Sequence, residues 1–103
     1  MTGHVETEVV VVSVEAMTAV NSKSLIALAD VAIAIHGIEI RILGIQLTAE
    51  KEGTAVRLPR YRDASGIWRA AVDVPDEVRG AIADVLLEEG LARGLLLHRH
   101  QMA

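Results

Sequence analysis

The chain has no cysteine and no phenylalanine, and its 103 residues include only two prolines, one tyrosine and one tryptophan. Without cysteine there is no disulfide framework, no thiolate metal ligand and no thiol nucleophile. The same absence fits a reducing compartment, so we expect a cytoplasmic protein. Because aromatic side chains are so scarce, the core must be built from aliphatic residues, which agrees with a hydrophobic content of 51%.

Long hydrophobic runs are also absent, since no stretch approaches the roughly 20 apolar residues that a membrane helix needs. The first eight residues contain two glutamates and no lysine or arginine, which is the wrong charge for a signal peptide. We therefore expect no membrane segment. A length of 103 residues fits a single domain spanning 1–103, which ends in an unusually apolar tail over 91–103.

Runs of valine and isoleucine predict about five strands, because β-branched side chains suit a pleated surface. Segment 25–35 is apolar on both faces and is expected at the centre of the sheet; a helix is the alternative for it, since alanine and leucine favour helix. Polar residues predict turns over 19–23 and 50–53 and a loop over 60–66. The predicted strands cover 9–14, 25–35, 38–47, 55–58 and 67–74.

Two glycines mark irregular points in these strands. The pair His36–Gly37 lies between apolar runs and predicts a two-residue hairpin turn. Beyond this turn, apolar and polar residues alternate strictly until Gly44. After Gly44 the apolar positions are displaced by one residue, and this displacement predicts a β-bulge. Asp30 is the one charge within its apolar strand, and we expect it to pair diagonally with Arg41 across the hairpin.

A helix is predicted to follow Pro75, because proline and acidic residues favour a helix N-terminus. It ends at Gly90 or, alternatively, continues to Arg93 before Gly94. The predicted fold is therefore α+β, a mostly antiparallel sheet of about five strands with a C-terminal helix packed on one face. An open apolar edge at 9–14 and the apolar tail favour a homodimer. The residues expected to face the sheet are Val78, Ile82, Val85 and Leu86.

A local concentration of positive charge is the strongest functional signal. Segment 57–69 contains four arginines and one acid, giving it a net charge of +3 in a chain whose net charge is −4. Arginine matches phosphate geometry, and an aromatic side chain beside arginine can stack on a base. The alternative is a solvated loop whose arginines pair with Asp63 and with helix acids. Because the chain lacks phenylalanine, we expect Trp68 to be a core anchor. The candidate nucleic-acid-binding residues are Arg57, Arg60, Tyr61, Arg62 and Arg69.

Catalytic and metal-binding patterns are missing from the sequence. The serines have no histidine and aspartate in a recognisable arrangement, and the glycines form no phosphate-binding motif. His98 and His100 are two residues apart but have no third ligand nearby. We therefore expect no enzymatic activity, no cofactor, no bound metal and no small-molecule substrate.

The order and spacing of several short motifs resemble those of the stage V sporulation protein G (septation regulator) family. The resemblance covers about residues 8–88. It rests on the alternating run 37–42, on a strand that ends in an apolar residue plus proline, and on a basic loop with a glycine. An aromatic–arginine pair and a helix with an Arg-x-x-Ile pattern follow. The residues that carry these motifs are Val56, Arg57, Leu58, Pro59, Arg62, Gly66, Trp68, Arg69, Arg79 and Ile82.

This resemblance implies a dimeric, non-catalytic bacterial regulator that acts in sporulation, septation and cell division. It implies DNA binding, with RNA as a second ligand, through a basic loop of Arg60, Tyr61 and Arg62 and through Trp68 and Arg69. The helix, however, carries acids that would repel phosphates, namely Asp84, Glu88 and Glu89. The alternative is thus a protein-interaction module that keeps the fold without binding nucleic acid.

Overall fold

The computed structural model describes residues 10–96. The elements are β1 (Val10–Ser22), β2 (Leu25–Ile35), β3 (Ile38–Glu50), β4 (Gly53–Arg57), β5 (Arg60–Arg62), β6 (Trp68–Ala70) and α1 (Asp76–Ala92). Strands β1 to β4 form one antiparallel sheet in chain order, and β5 and β6 pair separately as a two-stranded sheet. The α+β class is confirmed, but the strands are divided between two sheets instead of forming one sheet of about five.

Strand β1 is much longer than predicted, because it continues to Ser22 instead of ending at residue 14. Val14 pairs with Val31 and Ala16 pairs with Asp30, so Glu15 is an extra residue that makes a bulge. The bulge shifts the positions of the inward-facing side chains by one residue, so a search for strict alternation of apolar and polar residues ends the strand too early. The turn predicted over 19–23 lies at residues 23–24 instead.

The predicted hairpin and bulge at the centre of the sheet are confirmed. His36 and Gly37 both have positive φ, at 50° and 79°, as a two-residue turn between right-handedly twisted strands requires. Leu43 and Gly44 together lie opposite Asp30, since the pairing passes from Ile42 to Ile45 on β3. Gly44 has a φ of 75°, a conformation that glycine adopts without strain.

The predicted ion pair between Asp30 and Arg41 is wrong. Asp30 uses its Oδ1 to accept a hydrogen bond from the backbone N–H of Gly44 at 3.0 Å. Arg41 lies near Glu15 and Glu39 instead, each at 3.6 Å. The reason is the bulge, which brings a backbone donor closer to the aspartate than any cation on the next strand.

The core lies between α1 and one face of the four-stranded sheet. Buried side chains of β2 and β3 meet Ile82 and Leu86, both fully buried on the helix, and Val78 and Val85 are partly buried beside them. This confirms the predicted face of the helix. No helix within residues 10–96 is long and apolar enough to cross a membrane. The sheet contributes Met17, Ala27, Ala29, Val31, Ile33, Ile42, Ile45 and Leu47 to the core.

The helix does not stop at Gly90 but continues to Ala92 with Arg93 as its C-cap, close to the alternative end predicted at Arg93, so two residues of the predicted tail are helical. Gly94 has a φ of 75°, and the backbone N–H groups of Gly94 and Leu95 donate to the carbonyls of Leu91 and Gly90 at 3.0 and 2.9 Å. This pattern is a Schellman motif. Gly90 is needed for packing, since a Cβ there would lie 2.6 Å from Cδ1 of Leu96.

The β5–β6 hairpin lies where the sequence predicted a loop followed by one long strand. Only residues 68–70 of the predicted strand 67–74 are extended and paired, and the backbone N–H of Ala71 closes the hairpin by donating to the carbonyl of Pro59 at 3.0 Å. Val72 and Val74 then pack against the core on the way to α1. The predicted strand is thus divided between the hairpin and a connecting segment.

Candidate nucleic-acid interface

The hairpin pairing divides the predicted binding residues between two faces. Side chains of directly opposed residues lie on the same face of an antiparallel pair, and neighbours along a strand alternate. Arg60 and Arg62 therefore share one face with Trp68, whereas Tyr61 and Arg69 share the other. The register that fixes this pairs Arg60 with Ala70, Tyr61 with Arg69 and Arg62 with Trp68.

The first of these faces, formed by Arg60, Arg62 and Trp68 and called the Trp68 face below, combines an exposed ring with two cations. The guanidinium carbons of Arg60 and Arg62 lie 5.4 and 5.8 Å from the indole centroid, within the range of cation–π attraction. Trp68 is 56% exposed, so its prediction as a core anchor is wrong. The hairpin is separate from the main sheet, and all six residues of its two strands are exposed.

The two cations of the Trp68 face are not neutralised by any acid among residues 10–96. Arg60 makes no ion pair within this described part of the chain. Arg62 donates from Nε to the carbonyl oxygen of Gly66 at 3.2 Å, which holds the side chain but leaves its charge uncompensated. Both guanidinium groups therefore have N–H donors available for an anion.

The opposite face carries an arginine that is already paired. Asp63 accepts hydrogen bonds at Oδ1 from the backbone N–H groups of Ser65 and Ile67, at 2.8 and 3.0 Å, and at Oδ2 from Arg69. The Arg69 hydrogen bond, followed by the Ile67 N–H, holds the pKa of Asp63 below the ordinary value. The aspartate is thus ionised at neutral pH and neutralises Arg69, while Tyr61 beside it is 49% exposed.

Arg57 lies apart from the hairpin, on β4, and is also paired. Its Nη2 donates to Oε2 of Glu50 at 3.0 Å, and the same oxygen accepts from the Thr48 hydroxyl at 2.7 Å. The Thr48 hydrogen bond and then the Arg57 hydrogen bond lower the pKa of Glu50. The five predicted residues are therefore found in three places, and only Arg60 and Arg62 combine free charge with an exposed ring.

Sequence reasoning missed Trp68 as a surface residue, although one signal was available. Residues at i−2 and i+2 share its face in an extended chain, and these are Gly66 and Ala70. A strand face packed on a core normally has further large apolar side chains at those positions. The absence of large apolar side chains at positions 66 and 70 would have favoured an exposed position for the tryptophan ring.

Histidines and acids form no group of three that could hold a metal ion within residues 10–96. The two histidines considered as ligands in the sequence, His98 and His100, lie outside the described residues, as does most of the apolar tail. The described acids near the arginines serve as ion-pair and turn partners instead.

Comparison with known proteins gave no significant match: no family model, no curated protein and no solved structure matches the chain. The resemblance to the stage V sporulation protein G family therefore stays a prediction from the sequence motifs.

Proposed function

We propose that this protein binds nucleic acid through the Trp68 face. The observation that carries the proposal is the pair of uncompensated guanidinium groups of Arg60 and Arg62, which flank the exposed indole of Trp68. Arginine donates to phosphate oxygens in a planar fork, and an aromatic ring offers a stacking surface to a base. A face with both groups suits a ligand that has both phosphates and bases.

The same reasoning narrows the set of binding residues to two of the four arginines. Arg57 and Arg69 are held by Glu50 and Asp63, whose lowered pKa values keep both carboxylates charged at neutral pH. A phosphate approaching either arginine would meet a carboxylate beside it. These two arginines would therefore contribute less to binding than Arg60 and Arg62.

The proposed biological role follows from the sequence resemblance, and it is non-catalytic regulation in the cytoplasm of a bacterium. DNA is the expected ligand and RNA the second one. A regulator that acts on DNA or RNA needs a nucleic-acid-binding surface, and the Trp68 face has the chemistry for that purpose. No small-molecule substrate is part of the proposal.

The test compares two double variants that remove the same charge. Arg60→Ala with Arg62→Ala removes the free cations, and Arg41→Ala with Arg57→Ala removes two arginines that already contact carboxylates. Fluorescence anisotropy with labelled random-sequence DNA and RNA at low salt measures affinity. Because a charged hydrogen bond contributes about 1.5–3 kcal/mol, we expect the first variant to bind at least about tenfold more weakly.

The second double variant is expected to lose less than about threefold, since its arginines are paired on the protein. Both variants should unfold at the same temperature as the wild type. Equal losses in the two variants would show that only net charge matters and would remove the Trp68 face from the proposal. Absence of binding by the wild type to both polymers would favour the alternative, a protein-interaction module.

We also propose that the protein is a homodimer joined through the first part of β1. β1 is an edge strand, and at Met17 its edge is covered, because Nη1 of Arg93, the residue that follows α1, donates to the Met17 carbonyl at 2.8 Å. Segment 10–14, before the Glu15 bulge, has no such cover among the described residues. An apolar open edge favours pairing with another strand, and a second copy presents the same edge.

The apolar surface beside this edge supports the same dimer. Two rows of apolar residues cross the first three strands at this end of the sheet. Val10, Ile35 and Ile38 form one row, and Val12, Ile33 and Ile40 form the other. Ile38 and Ile40 are 63% and 48% exposed, although they lie on the face that the helix covers further along the sheet. A second copy paired at β1 would extend this apolar face across both chains.

Val11→Lys tests the dimer, because a lysine on an edge strand opposes pairing. Val11 is 53% exposed, so the chain should still fold, and Val11→Thr at the same position keeps strand propensity without adding charge. Light scattering after size-exclusion chromatography should give a dimer for the wild type and Val11→Thr, and a monomer for Val11→Lys. A wild-type monomer, or a dimer that survives Val11→Lys, would contradict the proposed edge.

A further inference from the structure

A groove separates the Trp68 face from the bulged strand β3. It is bounded by side chains of both sheets, so it exists only because the hairpin folds back beside the main sheet. Its apolar part comes from β6 and from the short connection between β4 and β5, and its polar part comes from β3 and β5. The residues that line it are Gly44, Gln46, Leu58, Pro59, Arg60 and Trp68.

The lining of this groove matches a flat ring with polar edges. Leu58, Pro59 and the indole of Trp68 offer apolar contact. Gln46 is exposed on β3 and makes no side-chain hydrogen bond within residues 10–96, so its amide can both donate and accept. Arg60 adds a positive charge at the same groove. A nucleotide has this combination, because its base has apolar faces and donor and acceptor edges and its sugar carries the phosphate.

The bulge keeps one side of the groove open. Gly44 has no side chain, and a Cβ built there meets nothing within 4 Å, so the groove is not filled from this position. The hydrogen bond from the Gly44 N–H to Asp30 at 3.0 Å fixes the bulge. Gln46, two residues further along the same extended strand, is thereby held beside the groove.

We propose that the groove binds one unstacked nucleobase of a single-stranded nucleic acid, an inference that rests on the proposed function. The base stacks against Trp68 and its edge bonds to the Gln46 amide, while neighbouring phosphates bind Arg60 and Arg62. A duplex does not offer a free base face, because each base is stacked on both sides and paired at its edge. The site therefore selects single strands, or the unpaired parts of folded RNA, over duplex DNA.

The fluorescence of Trp68 reports directly on this contact, because Trp68 is the only tryptophan in the chain. A base stacked on the indole quenches its fluorescence, and the duplex, which offers phosphates without a free base face, reports the change in emission that phosphate contacts alone cause. We would titrate the protein with a single-stranded 12-nucleotide DNA and, separately, with the duplex of the same sequence, and follow both tryptophan emission and the anisotropy of a label on the DNA. The single strand is expected to quench Trp68 and to bind about tenfold more tightly than the duplex.

Two variants separate base recognition from phosphate binding. Gln46→Ala is expected to weaken single-strand binding about fivefold, as the loss of a neutral hydrogen bond would, and to leave duplex binding unchanged. Trp68→Leu is expected to weaken single-strand binding about tenfold by removing the stack. Thr18→Ala, at an exposed polar position on β1 that does not line the groove, serves as the matched control and should change neither affinity.

The outcomes distinguish this inference from the proposed function. Equal affinity for single strand and duplex with no quenching would overturn the base site and leave nucleic-acid binding through Arg60 and Arg62 intact. Quenching that persists in Gln46→Ala with unchanged affinity would overturn the role of the amide. Absence of binding to both ligands at low salt would overturn the inference and the proposed function together.

Discussion

The main sheet with its helix and the β5–β6 hairpin differ in how they are stabilised. In the main sheet, the side chains that α1 covers are fully buried, among them Ala27, Val31, Ile45 and Leu47. In the hairpin, all six strand residues are exposed. One region is stabilised by burial of aliphatic side chains, and the other is held by hydrogen bonds around a single aspartate, Asp63.

This difference indicates what each region contributes. Burial of apolar surface is the dominant stabilising term in folding, so the main sheet and helix supply the stability. The hairpin adds little buried area, yet it contains both aromatic residues of the chain, Tyr61 and Trp68. Large aromatic side chains normally stabilise a core, and exposing them on a small hairpin is consistent with a binding role.

The largest expected effect is the loss of a core side chain. Leu86 is fully buried against the sheet, and Leu86→Ala should lower the free energy of unfolding by about 2–5 kcal/mol. Trp68→Leu, although it removes a larger side chain, should change that free energy by less than about 1 kcal/mol, because the ring is exposed. Urea denaturation followed by circular dichroism measures both, and similar losses would contradict the separation of the two regions.

A second pair of substitutions tests packing within the helix and has opposite expected signs. Gly80 is exposed, and a Cβ there meets nothing within 4 Å, so Gly80→Ala should raise the free energy of unfolding by about 0.5–1 kcal/mol through helix propensity. A Cβ at Gly90 lies 2.6 and 2.8 Å from Cδ1 and Cγ of Leu96, so Gly90→Ala should lower it by about 1 kcal/mol or more through overpacking.

Thermal and urea unfolding of the two glycine variants gives the comparison directly. If Gly90→Ala stabilised the protein as much as Gly80→Ala, the contact between Gly90 and Leu96 would not be a stabilising part of the fold. The close packing of Leu96 on the helix would then add no net stability.

The smallest expected effect concerns acid pH and the hairpin. The pKa of Asp63 in the folded protein is lowered, chiefly by Arg69. The stabilisation that the ionised carboxylate gives the hairpin is therefore fully present above the ordinary carboxyl pKa and is lost as the pH falls through the lowered pKa. Trp68 emission, which reports on the hairpin, should therefore change in this acid range before the circular dichroism of the main sheet changes.

Asp63→Asn is the matched variant for the acid experiment. It keeps the size of the side chain but removes the charge, so its emission at neutral pH should resemble that of the wild type in acid. If the wild type showed its emission change only together with global unfolding, the hairpin would not open as a separate unit.

Most of the main sheet could be predicted from the sequence, because its signals are local. The turn at His36–Gly37 and the bulge at Gly44 each follow from a glycine at a point where the apolar pattern changes. The bulge at Glu15 carries no such glycine, and this is why the second half of β1 was missed. A bulge without a glycine looks in sequence like the end of a strand.

The candidate site was harder to predict, because it depends on which groups come together across the fold. The sequence concentrates the arginines and offers Asp63 as a partner, but it does not show that Arg69 is the arginine that pairs with Asp63, nor that Arg57 pairs with Glu50. Nor does it show that the hairpin leaves the sheet, which is what exposes Trp68. Local composition predicts a charged region, whereas the pairing of each charge is set by tertiary structure.

The most direct test of the central claim is the salt dependence of binding in the wild type and in the Arg60→Ala, Arg62→Ala double variant. For single strands the slope of log affinity against log salt concentration changes by about 0.7 for each phosphate that a protein contacts. We expect the variant to have a slope shallower by about 1.4 per chain, with its fold unchanged. An unchanged slope would show that these two arginines do not contact phosphate, and would contradict the proposed interface.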